Sequence, residues 1–440
     1  MENNANKEKT QVSRRGFLKS SAAAGVAAVL AGSPRIYAAG SDTIKVGLIG
    51  CGSRGTGAAS NCLLSSENVE LVAMGDMFAD HIEKALTNLR DGAQNIDKVP
   101  QEKIKITPET KFTGFDAYKK VIASDANLVI LTTPPHFRPM QLSAAIEAGK
   151  NVFMEKPVGV DPVGIRSVIA SSQLADQKKL AIVAGTQRRH QAHYLEFMKR
   201  IHAGDIGDIT AAQCYWMQGC VRRWGFFNPR QSNWSDMEWQ LRNWYFFAWL
   251  SGDHLVEQHV HNIDVINWAI GGHPVKCIGL GGRQVRVQPE FGNIYDHFAV
   301  EYEYANGARL LSMARQIDGC AERVSENVVG TKGVAFMHGS GGRITGSSPW
   351  KPTEESPNPY VVEHADLIKS IREGKPLNEG KQVAESTLTA IMGRMSAYTG
   401  REISWDWVMN SSKLDLTPPR YELSDMPVEP PAMPGITKLV

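Results

Sequence analysis

Gly50, Gly52 and Gly55 stand as G-x-G-x-x-G directly behind an apolar run, Ile44 to Ile49, and Asp76 follows the next apolar run, Val69 to Met74. A strand, a glycine loop and then an acid about 20 residues farther on is the arrangement that a dinucleotide site requires. Each glycine has its own task. Gly50 turns the chain out of the strand, Gly52 lets bare backbone approach a pyrophosphate, and Gly55 lets the next helix lie close on the sheet. Ser53 and Arg54 open that helix, whose first N–H groups and positive dipole end suit phosphate. A carboxylate at Asp76 accepts hydrogen bonds from a ribose diol and repels a 2′-phosphate, which predicts NAD in preference to NADP.

For these residues to meet, strands and helices must alternate, and the hydrophobic pattern says that they do. Apolar runs at Leu128 to Leu131, Asn151 to Met154 and Leu180 to Ala184 read as buried strands; Ala79 to Leu89, Asp116 to Ala123, Pro139 to Ala148 and Val160 to Ala175 read as helices, Gly149 ending the third of them. Continuous apolar strands between amphipathic helices predict a doubly wound parallel sheet, a Rossmann fold, with ligands beyond the carboxyl ends of its strands. The later chain differs. Thr210 to Met217, Lys276 to Leu280, Gln284 to Val287, Ala299 to Tyr304 and Arg309 to Arg315 read as strands, with Asn306-Gly307 as a hairpin turn. An α+β domain with a large, mostly antiparallel open sheet follows, and helices around Val361 to Glu373 and Ala384 to Gly400 return to the body.

The chain of 440 residues exceeds what one core serves, and the expected division is 41–185 for the dinucleotide domain, 186–407 for the α+β domain and 408–440 for a proline-rich, surface-wrapping tail. A net charge of +2 without a separate basic block excludes a nucleic-acid partner. The six cysteines have no C-x-x-C spacing, which predicts free thiols and no metal. Residues 1–40 read as an address. Ser13-Arg14-Arg15-Gly16-Phe17-Leu18-Lys19 resembles the twin-arginine export signal, Ala22 to Leu30 is too short to span a bilayer, and Ile36-Tyr37-Ala38 offers a cleavage site. No stable membrane anchor is expected; export to the periplasm in a folded state, with cofactor aboard, is.

Gly50-Cys51-Gly52-Ser53-Arg54-Gly55, Thr133-Pro134-Pro135-His136, Glu155-Lys156-Pro157 and the stretch Glu257 to Asp264 together resemble the glucose-fructose oxidoreductase, inositol dehydrogenase and MocA family (Gfo/Idh/MocA). The resemblance runs from Ser41 to about Trp407. It implies a nicotinamide-binding domain, hydride transfer at a sugar or cyclitol carbinol, and a homo-oligomer, dimer or tetramer, built on the open sheet. It implies further that Thr133, Pro134, His136, Glu155 and Lys156 line the cofactor site beside the glycine loop. The family's aspartate, histidine and aspartate in the second domain correspond to Glu257, His261 and Asp264. Alcohol oxidation needs a base and a positive charge near the developing alkoxide. Lys156 supplies the charge, His261 takes the proton, and Glu257, one helical turn earlier, orients the histidine or holds a substrate hydroxyl. His254 and Asp264 extend that face. A zinc site of Glu257, His259 and His261 fails, because positions two apart on a helix do not converge.

Between Val221 and Trp249 aromatic and amide residues crowd together, among them Arg222, Trp224, Phe226, Trp239, Asn243, Tyr245 and Trp249. Indoles stack on sugar faces while Arg and Asn bond hydroxyls, so the expectation is a carbohydrate pocket, with Arg222, Trp224, Asn243, Tyr245, His254 and Asp264 as substrate contacts. Aromatic packing is the alternative for any one of them. Two functional alternatives stand beside a plain dehydrogenase: redox-assisted glycoside cleavage with a transiently reduced, self-recycled NAD, and a non-catalytic NAD-binding protein, which would need neither Lys156 nor His261.

Overall fold

The computed structural model describes residues 42–220, 227–353 and 356–440. The twin-arginine segment and Arg222, Trp224 and Phe226 lie outside the described residues. The chain divides into two units, Met1–Asp42 and Thr43–Val440, and both sheets belong to the second.

The first sheet has six parallel strands in the order β3-β2-β1-β4-β5-β6, comprising β1 (Ile44–Ile49), β2 (Val69–Asp76), β3 (Lys111–Thr113), β4 (Leu128–Leu131), β5 (Asn151–Met154) and β6 (Ile182–Ala184). Order reverses between β1 and β4, the switch point at which such sheets hold ligands. Helices Ser53–Ser65 and Ala79–Asp91 cover one face and helices Arg138–Glu147 and Pro162–Lys178 the other, which is why all of β4 is buried. Asp161 caps Pro162–Lys178 by accepting the Gly164 N–H at 2.7 Å, and Gly149, at φ +73°, follows Arg138–Glu147. The late helix Pro359–Arg372 completes the first layer, setting Leu367, Ile368 and Ile371 against Phe153 and Val183.

The second sheet has eight strands ordered β13-β12-β11-β7-β10-β9-β8-β14: β7 (Ile209–Gln218), β8 (Pro274–Gly282), β9 (His297–Tyr304), β10 (Arg309–Gln316), β11 (Arg323–Gly330), β12 (Gly333–His338), β13 (Gly341–Gly346) and β14 (Ile403–Ser404). All pairings are antiparallel except β7 with β10. Asn306-Gly307 makes the β9–β10 hairpin, Gly307 at φ +83°. Burial alternates along β9 and β10: helices Val260–Ile270 and Gly380–Thr399 cover one face, and Ile278, Leu280 and Leu311 stay exposed on the other.

Two sequence expectations change. Gln284 to Val287 is a loop, because Asp296 Oδ2 accepts the N–H groups of Gln284, Val285 and Arg286 at 2.6, 2.6 and 3.1 Å in place of a neighbouring strand. Strands β11 to β13 were not among the strands expected from the sequence. Glu326, in the middle of β11, breaks the apolar alternation, yet it is fully buried, where Arg188, Asn262 and the Tyr194 hydroxyl meet its carboxylate.

Candidate active site

The glycine turn is built by steric necessity. Gly50 has φ +97°, and a Cβ there would lie 2.5 Å from the Thr133 nitrogen; a Cβ at Gly55 would lie 1.9 Å from the Gly50 oxygen. Gly52 is different: a Cβ would meet nothing within 4 Å, so its backbone borders open space. It also precedes helix Ser53–Ser65, whose N-terminus receives no side-chain cap. Bare backbone and an uncapped helix end fit a pyrophosphate. Thr132 Oγ1 ties the end of β4 to this turn, donating to the Gly50 oxygen at 2.7 Å, and Thr133 donates to Gln141 at 2.7 Å. Asp76, at the carboxyl end of β2, accepts the N–H groups of Cys51 at 2.7 Å and Phe78 at 2.9 Å, with His81 Nδ1 at 3.0 Å.

Two expected cofactor contacts, Arg54 and Glu155, pair with each other. Arg54 donates from Nε to Glu155 and from Nη2 to Glu363 at 3.3 Å, its guanidinium 4.9 Å from the Tyr360 ring centre. Glu155 also accepts the Lys156 N–H at 3.2 Å. The pair joins the glycine loop to the residue before Lys156, which gives both side chains a positioning duty. Pro134 precedes the short turn Pro135–Phe137. Within it His136 is buried, bonds the Tyr421 hydroxyl at 2.8 Å and packs edge-on against Trp249; burial drives its pKa down to about 4. His136, an expected cofactor contact, thus also links the strand end to the tail.

Lys156 stands just beyond β5, its peptide to Pro157 cis. Its Nζ donates to Glu257 Oε1 at 3.0 Å and to the Glu257 carbonyl at 2.6 Å, both side chains being about nine-tenths buried. The other carboxylate oxygen, Oε2, is buried with no partner among the described residues. Glu257 therefore holds Lys156 and does not orient His261. The two do not share one helix either: His254–Glu257 ends before Val260–Ile270 begins. His261 is buried and stacks on Trp216 with centroids 5.9 Å apart. Burial, then the positive charges of Lys156, Arg188 and Arg54, holds its pKa well below the usual histidine value, so the ring is neutral. A neutral imidazole beside a fixed ammonium can accept a hydroxyl proton while the ammonium stabilises the oxygen left behind.

The remaining expected contacts have structural partners. Asp264 receives both arms of Arg189, at 2.8 and 2.9 Å, and the Ser386 hydroxyl at 2.7 Å. His254 bonds Asp253 at 3.1 Å, is fully buried, and leaves Nε2 unpartnered. His259 contacts the Ser312 hydroxyl at 2.8 Å, burial pushing its pKa down to about 3, and no cluster suited to a metal occurs among the described residues. Asn243 spends its amide on Asn228 and the Trp239 carbonyl, and Tyr245 takes the Gln316 amide at 2.7 Å. Tyr245, with Trp239 and Trp249, forms a cluster with Phe78 and Phe137, which follow β2 and β4. Of the four expected substrate contacts, Tyr245 belongs to this aromatic cluster, while Asn243, His254 and Asp264 are each engaged by the partners given above.

Sequence reasoning missed Arg138, fully buried, which donates to the carbonyls of Glu155 at 2.9 Å and Leu131 at 3.0 Å; burial brings its pKa down to about 10. It missed Arg188 too, although a basic run directly after a buried strand was a readable signal.

A model described as the oxidoreductase family, NAD-binding Rossmann fold, matches residues 44–186, and one for the GFO/IDH/MocA C-terminal domain matches residues 194–336. A model for the TAT (twin-arginine translocation) pathway signal sequence matches residues 11–31. An inositol 2-dehydrogenase of Rhodococcus erythropolis is 25% identical over 320 residues, 70% of this chain and 84% of the relative. Inositol 2-dehydrogenase 4 of Saccharopolyspora erythraea is 29% identical over 171 residues, 39% of this chain and 44% of the relative. Among solved structures, aldose-aldose oxidoreductase from Caulobacter crescentus aligns with TM-score 0.63 at 17% identity, covering 82% of this chain and 99% of that one. Scyllo-inositol dehydrogenase from Lactobacillus casei, with NAD(H) and scyllo-inositol bound, aligns at 0.61 and 19%, with the same coverage. At these identities the structural likenesses speak for the fold.

Proposed function

We propose, for a chain that belongs to the GFO/IDH/MocA oxidoreductase family, that it transfers a hydride between a carbinol of a sugar or cyclitol and a nicotinamide dinucleotide, NAD in preference to NADP. The observation that carries the reading is the buried ion pair in which Glu257 fixes Lys156, with His261 buried in the helix that follows. Gly50, Gly52, Ser53 and Gly55 would hold the pyrophosphate and Asp76 the adenosine ribose. When bound, the nicotinamide supplies the acceptor for the carbon's hydride. The chain's own residues do the rest. Lys156 Nζ meets the reacting oxygen, a ring nitrogen of His261 takes the hydroxyl proton, and Glu257 keeps the ammonium in place through two acceptors. The inositol dehydrogenase relatives support a polyol of that size.

The test is turnover of purified protein with a panel of cyclitols, monosaccharides and glycosides. Lys156→Ala and His261→Ala should each lower turnover by about 10²- to 10⁴-fold while NAD still binds. A His261→Ala variant with near wild-type turnover removes the histidine from the chemistry.

Redox-assisted glycoside cleavage with self-recycled NAD is the second reading. The TAT signal favours it, since exported protein meets little free dinucleotide. Release of aglycone without net NADH distinguishes it. We place the mature protein in the periplasm, and the apolar uncovered face at Ile278, Leu280 and Leu311 supports a homo-oligomer.

A further inference from the structure

Asp76 is not left to the ribose alone. Its Oδ2 accepts the Cys51 N–H, and its Oδ1 takes both the Phe78 N–H and His81 Nδ1, the last at 3.0 Å. A carboxylate offers about four lone-pair positions, so little of Asp76 is unclaimed. His81 lies in the first turn of helix Ala79–Asp91, its ring edge-on to Phe78 at 5.2 Å and its side chain 36% exposed. The charged groups that face it are Asp76 from β2, Asp80 from its own helix and Arg242 from helix Asp236–Arg242. Arg242 bonds both oxygens of Asp80, at 3.3 and 3.4 Å, and Glu238 at 2.9 Å, and lies 3.7 Å from the Phe78 ring centre. An imidazole thus sits directly on the carboxylate that chooses between ribose ends, and protonating it removes one unit of negative charge from that corner.

We propose that His81 is a specificity-determining residue of the dinucleotide site: through its contact with Asp76 it sets how strongly a 2′-phosphate is turned away, and discrimination against NADP weakens as the ring takes up a proton. The proposal rests on the reading of Asp76 as the ribose-binding acid. Partial burial disfavours the charged ring, but the bond to Asp76 and the charges of Asp76 and Asp80 outweigh that and the opposing Arg242, holding the His81 pKa above the ordinary histidine value. The change then falls above the pH at which an ordinary histidine titrates.

The measurement is calorimetric affinity for NAD and for NADP between about pH 5.5 and pH 8.5, in wild type and in His81→Gln, where Gln keeps a donor for Asp76 without a titrating charge. In wild type the ratio Kd(NADP)/Kd(NAD) should rise with pH by on the order of tenfold more than in the variant. The phosphate's own ionisation, near pH 6, acts on both proteins alike and cancels in that comparison. Parallel pH dependence in the two proteins overturns the proposal. In case the variant folds poorly, NMR titration of the His81 ring in wild type should give a higher midpoint with NADP bound than with NAD, and equal midpoints also overturn it. Wild type that binds neither dinucleotide sinks the underlying reading of Asp76 as well, an outcome distinct from a ratio that ignores pH.

Discussion

Gly52→Ala and Gly55→Ala should fail in opposite ways. At Gly52, φ is −70° and a Cβ would meet nothing within 4 Å, so alanine is neither strained nor crowded in the protein alone. Stability should change by less than about 1 kcal/mol. The space is free only until a dinucleotide fills it; if the pyrophosphate rests on this backbone, the added methyl meets it at an overpacking cost of about 1–3 kcal/mol, or about a 5- to 150-fold rise in the Kd of NAD. At Gly55 the Cβ would stand 1.9 Å from the Gly50 oxygen and 2.6 Å from Thr132 Oγ1, against 3.4–4 Å for ordinary contact. One side or the other must move by about 1.5 Å, the difference between 1.9 and 3.4 Å, and the Gly50 turn is already pinned by Thr132. That variant should lose about 1–3 kcal/mol or more of stability. Thermal unfolding and calorimetric titration with NAD read the two effects separately. Wild-type NAD affinity in a well-folded Gly52→Ala would refute the cradle, because nothing else in the structure makes that position intolerant.

His190 bonds Asp366 at 2.7 Å and faces Glu379 at 3.2 Å; burial opposes its charge, but the two carboxylates raise its pKa to about 10. Its folded pKa thus lies above its unfolded value of about 6.5, so the stabilisation is complete below about pH 6.5 and is lost as pH rises toward about 10; the slope of stability against pH in that window should be smaller in His190→Gln. Tyr421→Phe deletes the hydroxyl that holds His136, and truncation after Ser411 removes the whole tail, which also bonds the aromatic segment through Met426 and Gln240. Dinucleotide should dissociate faster in the truncated form, by stopped-flow displacement; an unchanged rate would show that the tail does not retain it. Replacing Arg14 and Arg15 with Lys should strand the precursor inside the cell, since the guanidinium pair has donor geometry that Lys lacks, and fractionation with immunoblotting reads it.

What the sequence determined by itself is local. The glycine spacing, the apolar strands and the acid after β2 are fixed by neighbours in the chain, where period and turn chemistry act. The parallel sheet and the dinucleotide cradle were therefore legible, and so was Lys156 at the end of β5. Tertiary structure decided whatever depends on residues far apart. Glu257 and His261 are four apart in sequence, but a break between two helices gives Glu257 to Lys156, 101 positions away. Glu326 reads as a surface acid until Arg188, Tyr194 and Asn262 enclose it, and with it three strands escaped notice. The tryptophans after Val221 read as a sugar pocket because an indole suits stacking on a sugar or packing on an aromatic ring equally well, and only the closed fold brings Phe78 and Phe137, which follow strands of the first sheet, against Trp239 and Trp249. A buried charge or ring takes its role from its partner, and partners this distant in the chain are brought together only by the closed fold.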